Sequence, residues 1–204
     1  MCKILYILCL VSTFTTYGQS KHLKPVPGIF SSYDFHFDYC TPLRTLLYKN
    51  LNRRFVARVV VTPSFQPEYV ISIENRKDSI VMIYNVASDV FWVAKDTTKT
   101  KIITYEVRVD KEFSDAIHKT LNFFLMQTKY PEENEEGTDG ITYEFMTFTN
   151  GVGVRAGEAW SPDTKSELKK LTDLSDTLKD ICINNDFFKF KGKVITVCNS
   201  LHRK

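Results

Sequence analysis

Hydrophobic and polar positions alternate with two different periods along the chain, and these periods predict strands and helices. Residues 33–40 alternate aromatic and polar side chains, which predicts a half-buried strand. Runs rich in β-branched and aromatic residues predict further strands at residues 55–61, 69–73, 80–84, 90–93 and 102–109. Because the connections between these five runs are short, we expect them to pair as an antiparallel meander.

Apolar residues at spacings of three and four predict three helices. A proline at the first helical position, after a threonine cap, begins a short helix near residues 42–51. A second helix is predicted at residues 111–129. A third is predicted at residues 164–183, where Thr164 and Glu167 match a capping box.

The last predicted strands complete the fold class. Asn150-Gly151 between two β-like runs predicts a hairpin of residues 141–149 and 152–159, and a terminal strand is expected at residues 194–198. Strands and helices are grouped and do not alternate along the chain. We therefore expect an α+β fold, in which two main helices pack on one face of an antiparallel meander sheet and a short N-terminal helix is added.

The N-terminal residues have the pattern of a secretory signal peptide. A basic Lys3 precedes a short uncharged apolar run, and Thr16 and Gly18 fit the small positions before a cleavage point, with cleavage after Ser20 as the alternative. The apolar run is shorter than the roughly 20 residues needed to span a bilayer. We expect a periplasmic or secreted mature protein without a transmembrane anchor. The expected organisation is a signal peptide at 1–18, an extended lead-in at 19–30 and a single α+β domain at 31–204.

Composition and charge restrict the classes of partner. A net charge of +3 on 204 residues is too small for a dedicated nucleic-acid binder, which has a stronger basic bias. No motif for a cofactor is present, so none is expected. Hydrophobic residues make up 43% of the chain, enough for a core that does not depend on disulfides.

The cysteines allow one disulfide in the mature protein. Five are present, and Cys2 and Cys9 belong to the predicted signal peptide. In an oxidising compartment the nearest remaining pair, Cys182 and Cys198, is the candidate bridge, and Cys40 would stay free. Spacing alone leaves the pairing open.

A candidate metal site lies in the first predicted strand. Asp34, His36 and Asp38 alternate, with Cys40 continuing the series, so all four would project from one face of the strand. A histidine between two carboxylates can bind a divalent ion. The alternative interpretation is an ordinary solvent-facing strand, because polar residues at every second position are typical of one.

A candidate partner-binding patch lies in the second hairpin strand. Arg155, Glu158 and Trp160 are close in sequence, and tryptophan and arginine are favoured anchors at protein interfaces. The alternative is that Trp160 packs the last predicted helix onto the sheet.

Residues 139–183 resemble a pattern in small exported or toxin-associated bacterial proteins of uncharacterised function. The shared features are an Asp-Gly-x-x-Tyr strand (Asp139 to Tyr143), a hairpin, a Trp-Ser-Pro turn (Trp160 to Pro162) and a leucine-striped helix. The resemblance implies an α+β fold and a bacterial envelope setting. It implies an interaction role and supplies no catalytic residue.

Three functions follow as hypotheses. The first is a non-enzymatic periplasmic or secreted domain that binds a protein partner in the cell envelope. The second is a carrier of a small or apolar ligand within the aromatic-rich sheet. The third is a metal-assisted hydrolase that uses Asp34, His36 and Asp38.

Overall fold

The computed structural model describes residues 21–26, 39–130 and 139–202, which form four α-helices and six strands. The helices are α1 (Thr41–Leu47), α2 (Lys111–Leu125), α3 (Glu167–Asn184) and α4 (Phe187–Leu201). The strands are β1 (Ala57–Pro63), β2 (Tyr69–Arg76), β3 (Ser79–Ala87), β4 (Ile102–Val109), β5 (Ile141–Thr149) and β6 (Gly153–Trp160). None of the described helices is long and apolar enough to cross a membrane.

The strands form one antiparallel sheet in the order β4-β3-β2-β1-β5-β6. Strands β1 to β4 follow one another as a meander, and the β5–β6 hairpin joins the free side of β1. Val60 of β1 shows this arrangement, because it pairs with Val70 on one side and with Glu144 on the other. The predicted α+β class with an antiparallel meander is confirmed.

Three helices form a layer on one face of the sheet. The main core lies between this layer and the sheet, and Phe113 of α2, Phe145 of β5 and Leu171 of α3 are among its most buried members. Helix α4 packs against α2 and α3 and contributes Val194 and Cys198 to the same core. The apolar side chains recur at helical spacing, so each helix buries one stripe.

A second, smaller core lies on the opposite face. Leu43 and Leu47 of α1, with Phe55 before β1, pack there against Val60 and Met146 of the sheet. The central strands are therefore buried on both faces. This explains why β1, β2 and β3 are nearly continuous apolar runs and why their polar residues must find partners inside the protein.

Part of the predicted lead-in is attached to the edge of β6. The Lys24 N–H donates to the Glu158 carbonyl at 2.9 Å, and the Glu158 N–H donates back at 2.8 Å. The Lys129 N–H donates to the carbonyl of Leu23, whose side chain is completely buried. The lead-in therefore covers part of one sheet edge, while β4 forms the other edge.

The prediction of a strand at residues 90–93 was wrong, so the meander has four strands. Residues Phe91–Val93 form a 3₁₀ turn. The buried carboxylate of Glu68 causes this, because it accepts the backbone N–H groups of Phe91 at 2.8 Å and Trp92 at 3.1 Å. A tertiary contact thus overrides the local preference of an apolar run.

The predictions near the C-terminus also need correction. Residues 194–198 lie in α4, whose buried residues Phe187, Val194, Cys198 and Leu201 have helical spacing. The sheet therefore carries three long helices on its face, one more than predicted. Helix α3 begins at Glu167, and the Ser166 hydroxyl caps it by accepting the Lys169 N–H at 3.0 Å.

The first predicted strand lies almost wholly outside the described residues. Its last two residues, Tyr39 and Cys40, are in a helical turn that leads into α1.

Gly157 provides a test of the docked lead-in. A Cβ atom there would lie 3.0 Å from the Thr128 hydroxyl, 3.1 Å from Leu23 Cβ and 3.2 Å from a Leu125 methyl. We expect Gly157→Ala to lower the free energy of unfolding by about 1–3 kcal/mol, because it overpacks a filled site. Urea unfolding measures this change.

Gly192 is the matched control, since it lies inside α4 and a Cβ there would meet no atom within 4 Å. Gly192→Ala should raise the free energy of unfolding by about 0.5–1 kcal/mol. Equal effects of the two substitutions would contradict the packing of Leu23 against β6.

Candidate functional site

A cavity of about 580 Å³ lies at the end of the sheet where β2 turns into β3 and β5 turns into β6. We call it the sheet-end cavity. It is open to solvent on one side and is bordered by these turns, by residues 54–56 and by the first two turns of α2. Its apolar wall is formed by Phe55, Val56, Ile80 and Phe148, and the rings of Phe55 and Phe148 are 6.5 Å apart.

Helix α2 supplies the polar wall. Asp110 caps its N-terminus by accepting the Phe113 N–H at 3.0 Å, which sets where the helix begins. Helical spacing then brings Lys111, Ser114 and His118 into the cavity along one stripe. Asp115 also lines the cavity, and its carboxylate pairs with the Lys111 ammonium at 2.6 Å.

Ser114 is the polar residue that most clearly faces a ligand position. Its side chain is only 2% exposed, and its hydroxyl makes no hydrogen bond to any residue that the structure describes. The fully buried side-chain oxygens and nitrogens without a partner in the described part of the chain do not include this hydroxyl, so its oxygen stays accessible from the cavity. Because Ser114 lines the cavity, a molecule bound there can supply the missing hydrogen bond.

His118 lies one helical turn beyond Ser114 and is half-buried. Burial lowers the pKa of its imidazole below the ordinary value, and the nearby Asp115 carboxylate opposes this effect. The ring is therefore mainly neutral at pH 7, when one ring nitrogen donates and the other accepts hydrogen bonds.

A second depression, which we call the basic groove, adjoins the cavity. It is formed by the β2–β3 turn, Arg108 of β4 and the loop after α1, and every side chain that lines it is polar. Asn75 lines both the groove and the cavity. Arg76 is already paired with Glu106 at 2.9 Å. Lys77 and Arg108 have no ion pair within the described ranges.

A buried ion pair on the second face of the sheet holds the loop that leads to the cavity. Arg58 Nη2 donates to Glu74 Oε1 at 3.2 Å, and the Ser72 hydroxyl donates to the same oxygen at 2.8 Å. The Asn52 N–H also donates to it at 3.1 Å. The Arg58 guanidinium lies 4.2 Å from the ring centre of Phe55, so this network positions one wall of the cavity.

A cluster of four charged side chains attaches α1 and the lead-in to the sheet. Glu144 and Glu158 lie directly opposite each other on β5 and β6. Arg44 of α1 donates to both Glu144 oxygens at 2.7 and 2.6 Å, and Lys24 lies 3.5 Å from Glu158. Burial raises the pKa of Glu158, an effect that Lys24 opposes. Every carboxylate here has a cationic partner, so the cluster is a structural attachment.

The predicted metal site cannot be compared with the structure in full. Asp34, His36 and Asp38 lie outside the described residues. Cys40 is half-buried next to α1, and burial raises the pKa of its thiol. Among residues 21–26, 39–130 and 139–202, no three His, Cys, Asp or Glu side chains are arranged to hold a metal ion.

The three residues of the predicted partner-binding patch do not share one surface. Arg155 faces the helix layer, where its Nη1 donates to Asn122 Oδ1 of α2 at 3.1 Å. Glu158 and Trp160 point to the opposite face, because side chains alternate along a strand. Trp160 lies against Gly140, where an added Cβ would be 2.6 Å from the indole nitrogen.

Cys182 and Cys198, the predicted disulfide pair, are both free thiols in the structure. Cys182 of α3 lies against β3, with its sulfur 3.9 Å from the Met82 carbonyl oxygen. Cys198 is buried in α4. Burial raises the pKa of the Cys182 thiol to about 12 and also raises that of Cys198, so neither is a reactive thiolate at neutral pH.

Neither Ser114 nor His118 belongs to a sequence motif that predicts a functional site. The only local signal was their separation of four residues, which brings them to one side of α2. Nothing local indicated that residues 54–56 and the β2–β3 and β5–β6 turns would meet this side of the helix.

No protein-family model, curated protein or solved structure matches this chain. The resemblance of residues 139–183 to exported or toxin-associated bacterial proteins therefore stays a prediction. The structure itself shows only that the segment contains the β5–β6 hairpin and most of α3.

The raised pKa of Glu158 predicts a dependence of stability on pH. As the pH rises above the ordinary value of 4.5, the unfolded chain releases this proton before the folded chain does. Stability that is fully present below that value is then lost as the pH rises through the raised pKa.

Glu158→Gln removes this loss. The free energy of unfolding of the variant, relative to the unaltered protein, should therefore increase over the same pH interval. Urea unfolding at a series of pH values measures the difference. A constant difference would show that Lys24 cancels the effect of burial, and a decrease with pH would show that Lys24 outweighs it; either result would contradict the raised pKa.

Proposed function

We propose that this chain is an exported, non-enzymatic binding domain that holds a small, partly apolar ligand in the sheet-end cavity. The observation that carries the proposal is the cavity itself, about 580 Å³ in volume, with an apolar wall and the nearly buried side chain of Ser114, whose hydroxyl bonds to no described residue and is accessible from the cavity. Ligand sites are typically concave and about 300–1,000 Å³ in volume, and they combine apolar walls with convergent polar groups.

The polar residues of the cavity favour binding over catalysis. Ser114 and His118 are one helical turn apart, but no hydrogen bond joins them, and Asp115 is engaged by Lys111. A serine nucleophile needs a base within hydrogen-bond reach and a third group that orients the base. The arrangement in α2 therefore supports a donor and acceptor set for a ligand.

Export is the part of the proposal that rests on residues 1–18 alone. Their charge, apolar run and small residues support a cleaved signal peptide. We expect the protein isolated from cells that produce it to begin at Gln19, as determined by N-terminal sequencing. Intact Met1 or Cys2 at the N-terminus of the accumulated protein would remove this part of the proposal.

A protein partner in the cell envelope is the second candidate function. It is favoured by three apolar side chains at the opposite end of the sheet from the cavity: Trp92 is 55% exposed, Val93 64% and Ile103 47%. Exposed apolar residues near a sheet edge are suited to protein contacts. An envelope partner that is lost on Trp92→Ser, from a protein that binds no small ligand, would favour this candidate.

The cavity can be tested with the uncharged fluorescent probe N-phenyl-1-naphthylamine. We expect one binding site and a rise in fluorescence as the dye leaves water. In His118→Trp, the larger indole would occupy the cavity and lower the affinity by about tenfold, which corresponds to about 1.4 kcal/mol.

Lys119→Trp is the matched control, because the same residue is then introduced at an exposed neighbouring position of α2. It should leave the affinity unchanged, and thermal unfolding would verify that both variants are folded. Equal affinities of the two variants would place the dye elsewhere and contradict the proposal.

A further inference from the structure

The sheet-end cavity and the basic groove are adjacent but chemically different. Asn75, at the end of β2, contributes to the lining of both depressions. The cavity has the apolar wall that includes Phe55 and Phe148, whereas the groove is lined only by polar side chains. One molecule that extended past Asn75 would therefore meet an apolar environment at one end and a polar one at the other.

The charges around the two depressions favour an anion. Five cationic side chains and two carboxylates line them, an excess of three positive charges among the lining side chains, of which the Glu106 carboxylate offsets one by pairing with Arg76. The cationic residues are Arg54, Arg76, Lys77, Arg108 and Lys111, and the carboxylates are Asp78 and Asp115. Such a concentration of one sign of charge attracts oppositely charged ligands and speeds their association.

Two cations of the groove can accept an anion without breaking an existing ion pair. Arg76 is held by Glu106 and Lys111 by Asp115. Arg108 is exposed on the edge strand β4, and neither it nor Lys77 forms an ion pair with a residue that the structure describes. A guanidinium binds phosphate, sulfate or carboxylate oxygens through two parallel N–H bonds.

We propose that the cavity and the groove form one composite site for an elongated amphipathic anion, with the apolar part in the cavity and the anionic group on Arg108 and Lys77. The inference rests on the proposed function, because it names the ligand class of the same cavity. The shared chemistry is an apolar chain that ends in a phosphate, sulfate or carboxylate.

The cavity and the groove contribute differently to binding the proposed ligand. Apolar groups gain roughly 0.8 kcal/mol for each CH₂ removed from water, which supplies affinity in the cavity. The groove supplies selectivity for charge, because an exposed anion loses little hydration when it meets exposed cations. The Ser114 hydroxyl and the His118 ring face the cavity, where they can bond to a polar atom along the chain.

The test uses three probes that divide the ligand into its parts: octyl phosphate, 1-octanol and inorganic phosphate. Each is titrated into the ¹⁵N-labelled mature chain at low ionic strength. Octyl phosphate should shift the backbone amides of residues 111–118 and of residues 76–79 together, with an affinity about tenfold higher than that of 1-octanol. 1-Octanol should shift only residues 111–118. Inorganic phosphate should shift only residues 76–79, and weakly.

Two variants with the same loss of charge separate local from long-range effects. Arg108→Gln should lower the affinity for octyl phosphate by about tenfold and leave 1-octanol binding unchanged. Lys165→Gln is the control, because Lys165 is exposed and follows Trp160, at the opposite end of the sheet from Arg108 and the cavity. It should leave the binding of all three probes unchanged.

Different results would contradict the composite site and the binding function of the cavity. Equal affinity for octyl phosphate and 1-octanol, or equal losses in the two variants, would overturn the composite site while leaving a ligand in the cavity. A failure of every probe to shift residues 111–118 would overturn the binding function together with the inference.

Discussion

The buried ion pair between Arg58 and Glu74 is the interaction on which the second face of the sheet depends. The central strands are covered on both faces, so a charge on them has no access to water. Glu74 Oε1 accepts three hydrogen bonds, from Arg58, Ser72 and the Asn52 backbone, which join β1, β2 and the loop after α1. Removing one partner of such a pair typically costs 3–5 kcal/mol, because the other charge stays buried.

The same network connects the core to the end of the sheet where the cavity lies. Arg58 stacks on Phe55, which forms part of the apolar wall of the cavity. Glu74 Oε2 has no hydrogen-bond partner in the described part of the chain and lies 3.9 Å from Arg76 Nε at the edge of the basic groove. The Arg58–Glu74 pair therefore contacts both the apolar wall of the cavity and the edge of the basic groove. A rigid sheet can hold loops and turns in place for binding more accurately than the loops could by themselves.

The parts of the fold that the sequence predicted well are those where local pattern and tertiary environment agree. The hairpin around Asn150-Gly151 is one, since its turn residues suit a tight turn at any position in a fold. Residues 90–93 show the opposite, because the side chain that bends them, Glu68, is distant in sequence. Residues 194–198 were misjudged because their β-branched residues suit a strand by local preference, whereas Val194, Cys198 and Leu201 are buried at helical spacing in α4.

By itself, the sequence determined the α+β class, the positions of most strands, helix α2 and the hairpin, because periodicity and turn chemistry act over a few residues. Only the tertiary structure decided which of these residues meet. It placed Arg155 against Asn122 of α2 and Glu158 beside Lys24 of the lead-in. It also brought Ser114 and His118 of α2 to residues 54–56 and to two strand turns. The candidate site is therefore a property of the sheet order, which depends on contacts between residues far apart in the chain.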